Sequence, residues 1–188
     1  NTFLVVDECF EEFLDEPEAY SIIPFLEKLS HVFVLKAFTK IYAMAGLRLG
    51  YALCSNEDVL TKICQVRQPW SVSGLAQRAG IAALKETEYV LKTRKLIHEQ
   101  REKMEAALTE LGYIVYPSQA NYIFFMEKTL EGATDSLYDR MLKQGVLIRS
   151  CSNYPGLDAS CYRICVKTEE ENREFLHKLS KCTVSGRT

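Results

Sequence analysis

Long apolar runs are missing from this sequence. None approaches the ~20 consecutive residues that cross a bilayer, and no basic segment leading into an apolar one opens the chain, so neither a membrane partner nor a secretion signal is expected. An excess of charge of either sign is missing too. Twenty-three Lys and Arg stand against 25 Asp and Glu, a net charge of −2, so no global field draws the chain to nucleic acid or to an anionic membrane. Any anion site has to be local. The seven cysteines form no C-x-x-C pair and no histidine stands at metal-ligand spacing, which excludes a disulfide framework and a zinc site and leaves no metal to expect. Several thiols lie in apolar runs, such as Tyr51-Ala-Leu-Cys54 and Tyr162-Arg-Ile-Cys165, where they read as small buried hydrophobes suited to a reducing cytoplasm. The three histidines lie apart, and none is assigned a catalytic role. Internal repeats and low-complexity segments are missing as well.

What is there is a folding composition. The chain has 188 residues, 47% of them hydrophobic and 26% charged, enough for one to two domains. It starts at Asn1 and enters a buried-strand pattern at once, Thr2 to Asp7, so the expectation is an excised piece whose sheet has lost neighbours. A short helix over Ser21–Leu29 and a second buried strand over His31–Lys36 follow. A third strand over Arg48–Cys54 precedes a helix that Ser55-Asn56 should cap and that runs to about Val66. Strand alternating with helix predicts a parallel α/β layer. Ser73 to about Leu111 is rich in helix formers, with an interruption near Glu86-Thr87-Glu88. Beyond Gly112 the pattern becomes strand (Tyr113–Tyr116), strand (Asn121–Met126), helix (Ala133–Lys143), strand (Val146–Arg149), strand (Cys161–Lys167) and helix (Glu169–Lys181), a small α+β unit. The domains are therefore expected at 1–86 and 87–182, with 183–188 as a tail.

Two stretches carry chemistry. Between the second and third strands, Ala37-Phe-Thr-Lys-Ile-Tyr-Ala-Met-Ala-Gly-Leu-Arg-Leu-Gly-Tyr51 places Lys40 after the carboxyl end of one strand and Arg48 at the start of the next, where open α/β sheets bind ligands. A lysine in partly apolar surroundings forms Schiff bases, and an arginine fork suits a phosphate; by spacing alone, a solvated lysine and a strand-edge arginine fit as well. Asp7 ends the first strand, where an acid is costly unless paired, either by a buried cation or by a protonated ring nitrogen.

Together these residues resemble the fold-type-I pyridoxal-phosphate aminotransferases of class I/II, in the branch of histidinol-phosphate aminotransferase and threonine-phosphate decarboxylase. Val5-Val-Asp-Glu-Cys-Phe10 looks like the strand whose aspartate pairs with the pyridine nitrogen. Phe38-Thr39-Lys40 followed by Gly46-Leu-Arg-Leu-Gly-Tyr51 looks like the Schiff-base lysine and, eight residues on, the phosphate-binding arginine. The resemblance implies an α/β fold: the remainder of the large domain plus the small C-terminal α+β domain of such an enzyme. It implies pyridoxal 5′-phosphate as cofactor, held by Asp7, Phe10, Thr39, Lys40 and Arg48, with Lys40 and Asp7 catalytic. Arg163, in Tyr162-Arg-Ile-Cys-Val, falls where the family clamps the substrate α-carboxylate. Arg149 is a candidate for a substrate phosphate or a surface ion pair, and Asn121 for a place facing the active site or a turn cap.

The implied reaction passes an amino group between an amino acid, or an amino-acid phosphate, and a 2-oxo acid. Decarboxylation of the threonine-phosphate type and C–S lysis use the same residues, and an inert fragment is the reading from another class. The resemblance also implies a homodimer of the parent protein, with surface from the helices between Ile63 and Leu84. Trp70, beside Pro69, reads as a pocket, core or interface aromatic. Two departures stand out. Ala37 replaces a hydroxyl residue three before the lysine, and Phe10 replaces the tyrosine three after the aspartate.

Overall fold

The computed structural model describes residues 2–128 and 135–182. It divides into two compact units, 1–94 and 95–188, with the division inside a long helix rather than at its start near residue 86.

The first unit holds a three-stranded sheet in the order β1 (Leu4–Asp7), β2 (Val32–Ala37), β3 (Gly50–Leu53). β1 and β2 are parallel, but β3 runs antiparallel to β2, so the sheet is mixed and the expected all-parallel layer is corrected. The reason is the connection. Residues 38–49 contain one short 3-10 turn, Ala45–Leu47, and no crossover helix, and a chain without a crossover returns beside the strand it left. Between β1 and β2 the helix expected over Ser21–Leu29 is a single α-turn, α1 (Pro17–Tyr20), followed by a 3-10 helix over Ile23–Lys28. Strict alternation puts Val32 and Val34 in the core with Leu26, and Val6, Ile22, Ile23, Leu29 and Leu53 pack around them. β1 is an edge strand, and Leu4 and Val5 are exposed, against the buried strand expected.

The sheet is followed by α2 (Glu57–Val66) and α3 (Gly74–Ala83). Asn56 Oδ1 accepts from Val59 N at 3.2 Å and Ser73 Oγ from Ala76 N at 3.2 Å, side-chain caps for otherwise orphaned amides. The expected interruption is real: α3 stops before Leu84 and α4 spans Thr87–Glu110. Gly80 lets α3 approach the loop after β2, since a Cβ there would run into the Leu49 side chain.

The second unit is a four-stranded antiparallel sheet in the order β4 (Ile114–Tyr116), β5 (Tyr122–Met126), β7 (Cys161–Cys165), β6 (Arg149–Ser150), with α5 (Leu137–Lys143) and α6 (Glu169–Cys182). The strand expected over Val146–Arg149 shrinks to Arg149–Ser150, leaving Leu147 exposed. Residues 133 and 134, the expected start of α5, and the expected tail 183–188 lie outside the described residues. Ile123, Phe125, Tyr162 and Ile164 fill the inner face of the sheet. On α4, Ile97, Met104 and Leu108 recur at helical spacing and are buried. Cys151, Cys161 and Cys182 are buried thiols, whereas Cys165 is exposed, because β7 turns its odd positions away from the core at its far end. Among the described residues no helix is long and apolar enough to cross a membrane.

Candidate active site

Asp7 closes β1 at its carboxyl end and is exposed rather than buried. Its Oδ1 accepts from Cys9 N at 3.0 Å. Hydrogen bonds from the Cys9 thiol and backbone, with help from the Lys40 charge, hold this carboxyl below its ordinary 3.8. Burial, seconded by the bond to Asp7, pushes the Cys9 thiol up to about 11, so Cys9 serves as a donor. The buried cation anticipated as a partner for Asp7 pairs instead with the next residue, Glu8.

Lys40 lies three residues beyond the end of β2, exposed, with Nζ 4.8 Å from the centroid of the Phe10 ring. The Lys40 amine thus lies against one aromatic ring and is otherwise open to solvent, between the partly apolar surroundings and the solvated lysine that the sequence allowed. The loop is folded by its own backbone: Phe38 N donates to Leu49 O at 3.2 Å, Met44 N to Phe38 O at 3.3 Å and Ala43 N to Lys40 O at 3.0 Å. Ala43 and Arg48 both sit at a φ of 53°, a left-handed conformation that costs non-glycine residues and that gathers at functional loops. Arg48 therefore does not open β3. It ends the 3-10 turn two residues earlier, exposed, with Nη1 donating to Ala45 O at 3.1 Å. Thr39, half-buried, precedes Lys40 in the same loop. Asp7, Phe10 and Lys40 thus come together, with Thr39 and Arg48 on the loop that carries the lysine.

The other candidates belong to the second unit. Arg163 on β7 is the register partner of Arg149 on β6, so the two guanidinium groups rise from one face of the sheet. Arg163 Cζ lies 5.0 Å from the Tyr122 ring centroid. Arg149 is exposed, 5.8 Å from the Tyr154 ring centroid, with Nη2 donating to Asn153 Oδ1 at 2.9 Å. Asn121 has a main-chain part: its carbonyl accepts from Val166 N at 2.8 Å and extends the pairing of β5 with β7. Trp70 is 97% exposed at a φ of 59°, so it is no core residue.

The structure also shows a group that the sequence reading missed. Lys36 is buried on β2, and its Nζ meets Glu11 at 2.5 Å, Glu12 at 3.1 Å and Glu8 at 3.8 Å. The signal was present: Lys36 shares the two-residue phase of the buried Val32 and Val34, which places its side chain inward.

Comparison with known proteins shows the family. The model of the family "Aminotransferase class I and II" matches residues 1–179. The chain is 37% identical over 180 residues to a threonine-phosphate decarboxylase of Salmonella typhimurium, covering 95% of this chain and 48% of the relative. It is 37% identical over 174 residues to a histidinol-phosphate aminotransferase of Oleidesulfovibrio alaskensis, covering 92% and 45%. Its fold superposes on the crystal structure of the histidinol-phosphate aminotransferase from Clostridium acetobutylicum with a TM-score of 0.88 at 32% identity, over 96% of this chain and 54% of that one. The chain spans about half the length of the curated relatives it matches. With strand-end aspartate, loop lysine and arginine in the expected order, and the family model running through both units, this chain belongs to the class I and II aminotransferases.

Proposed function

We propose that these residues are part of a pyridoxal-phosphate enzyme that moves an amino group between a small amino acid or amino-acid phosphate and a 2-oxo acid. The single observation that supports it most is the placement of Asp7 at the carboxyl end of β1 and of Lys40 just beyond the carboxyl end of the adjacent parallel strand β2, with the Phe10 ring beside the amine. The donor set fits the cofactor: a carboxylate for a protonated ring nitrogen, a primary amine for an aldehyde, a guanidinium and a hydroxyl for a phosphate. When bound, that group supplies the aldehyde and the electron-accepting ring. Asp7 would keep a proton on the ring nitrogen, which its lowered pKa allows. Lys40 would give and take the proton at the substrate α-carbon. Arg48 and Thr39 would bind the phosphate. Phe10 would pack the lysine without offering a hydroxyl.

In the second unit Arg163 would clamp the α-carboxylate, and Tyr122 steadies its fork. Arg149 would take a phosphate on the substrate, and Asn121 would face the active site. Decarboxylation of a threonine-phosphate-like substrate is the second reading, supported by the 37% identity to such an enzyme. We further infer a homodimer of the whole protein, supported by Val66, Leu75, Ile81 and Leu84, which are exposed on or beside α2 and α3.

The parent protein, loaded with pyridoxal phosphate and given histidinol phosphate with a 2-oxo acid, should form the amino acid of that oxo acid. Release of carbon dioxide from threonine phosphate, with no amino transfer, would replace the first reading by the second. Neither reaction with either substrate would contradict both.

A further inference from the structure

We propose that Lys36 is a positioning residue for the Asp7–Lys40 pair, acting through Glu8, Glu11 and Glu12. This inference rests on the reading of Asp7 and Lys40 as the cofactor-facing pair. Its ground is a cluster that the proposed chemistry leaves unused. The Lys36 side chain is 7% exposed and those of Glu8 and Glu11 are 6% and 9% exposed. Burying an ammonium among carboxylates is costly, and an apolar residue in phase with Val32 and Val34 would fill the same place on β2 without that cost. What the ion cluster adds is a single geometry.

The connectivity says which geometry. Lys36 stands four residues before Lys40 on the strand that delivers it, and the three glutamates lie within the five residues after Asp7. One amine therefore ties the turn that follows Asp7 to the strand that leads to Lys40. Glu8 is fixed from its other side, where Ser21 Oγ donates to it at 3.0 Å and Ile22 N at 2.8 Å, while Glu8 N donates to Leu35 O at 3.0 Å. The same turn carries Phe10, the ring beneath the Lys40 amine. Burial pulls the Lys36 amine down, but its bonds to Glu11 and Glu12 outweigh that and hold it protonated. Burial pushes the Glu11 carboxyl up, opposed by its bond to Lys36. Glu12 Oε2 is buried with no hydrogen-bond partner among the described residues, a polar atom left unsatisfied while its sister oxygen holds Lys36.

The test uses two readouts, one independent of the cofactor. In cofactor-free chain under native conditions, the alkylation rate of Cys9, inside the turn, is compared with that of Cys54 at the end of β3. Lys36→Met should raise the Cys9-to-Cys54 rate ratio by about tenfold or more through local opening, and Lys36→Arg should restore it. With pyridoxal phosphate and borohydride, labelling of Lys40 should fall in Lys36→Met to the level of surface lysines and return in Lys36→Arg. Should the Met variant fail to fold, the triple variant Lys36→Met, Glu11→Gln, Glu12→Gln replaces it. There the remaining Glu8 keeps its bonds to Ser21 and Ile22 while the tether is gone, and the same rise is expected. An unchanged Cys9-to-Cys54 ratio, or an equal rise at both thiols, would overturn the inference. If Lys40 is not selectively labelled even in the unsubstituted chain, the proposed function fails, and the thiol ratio still decides whether Lys36 holds the turn.

Discussion

At the scale of single residues, the proposed chemistry rests on a carboxylate that stays ionised and an amine on the loop beyond the neighbouring strand. Asp7 achieves the first by accepting hydrogen bonds from Cys9 rather than by being buried against a cation. A folded-state pKa below the ordinary 3.8 contributes stability that is present above that value and lost as pH falls through the folded pKa. Carbon-13 NMR of the Asp7 carboxyl should therefore show a midpoint below 3.8, and Cys9→Ala should move it up toward that value, since the thiol bond is the largest cause. An Asp7 midpoint unmoved by Cys9→Ala would contradict the assignment. The place of Asp7 at a strand end and of Lys40 in the loop after β2 was legible in the sequence because strand ends are local, whereas Arg48 was expected to open β3 and ends a 3-10 turn instead. The partner of Asp7 was not legible, because which of two neighbouring acids turns inward depends on the register with β2. The buried role of Lys36 was readable from alternation alone, but a lysine is discounted as a core residue by its type.

At the scale of elements, the capped starts of α2 and α3 were legible almost to the residue, whereas α5, expected from Ala133, starts at Leu137 behind its cap Ser136. Asn56 and Ser73 each name their helix start, because a cap is a contact within one turn of sequence. The direction of β3 was not legible, since it is decided by the path of residues 38–49 rather than by apolar pattern. The second unit has an ion pair that joins its elements. Arg140 on α5 bonds Glu127 just after β5, donates from Nε to Cys182 O at 3.0 Å at the end of α6, and from Nη1 to Asp135 O at 2.6 Å. Burial pushes the Glu127 carboxyl above its ordinary 4.5, opposed by the Arg140 charge. Removing that charge leaves a half-buried carboxylate uncompensated, so Arg140→Met should cost about 3–5 kcal/mol at neutral pH by urea unfolding. Glu127 would then titrate higher still. A raised folded pKa contributes stability present below the unfolded value and lost as pH rises through the folded one. The loss in the variant should accordingly shrink near pH 4, and an equal loss at both pH values would contradict this account of the pair.

At the scale of the whole molecule, a mixed three-stranded sheet with its helices and an antiparallel four-stranded sheet divide within α4. The family model runs through both, over residues 1–179. Val66, Leu75, Ile81 and Leu84 are exposed between 58% and 83%, a concentration of apolar surface that a solvated face does not need. Sedimentation of the parent protein should show a dimer, and Leu75→Glu with Ile81→Glu should shift it to monomer with the helical content kept. A parent that sediments as a monomer at working concentration would remove the dimer from the account.

The central claim, that Lys40 is the amine this fold presents to an aldehyde cofactor, is tested most directly by covalent capture. The purified chain is mixed with pyridoxal phosphate, reduced with borohydride, digested and mapped by peptide mass, alongside Lys40→Ala. One adduct at Lys40, absent from the variant while all other lysines are labelled equally in both proteins, is the result predicted. Labelling scattered over surface lysines to the same extent in both proteins would contradict it.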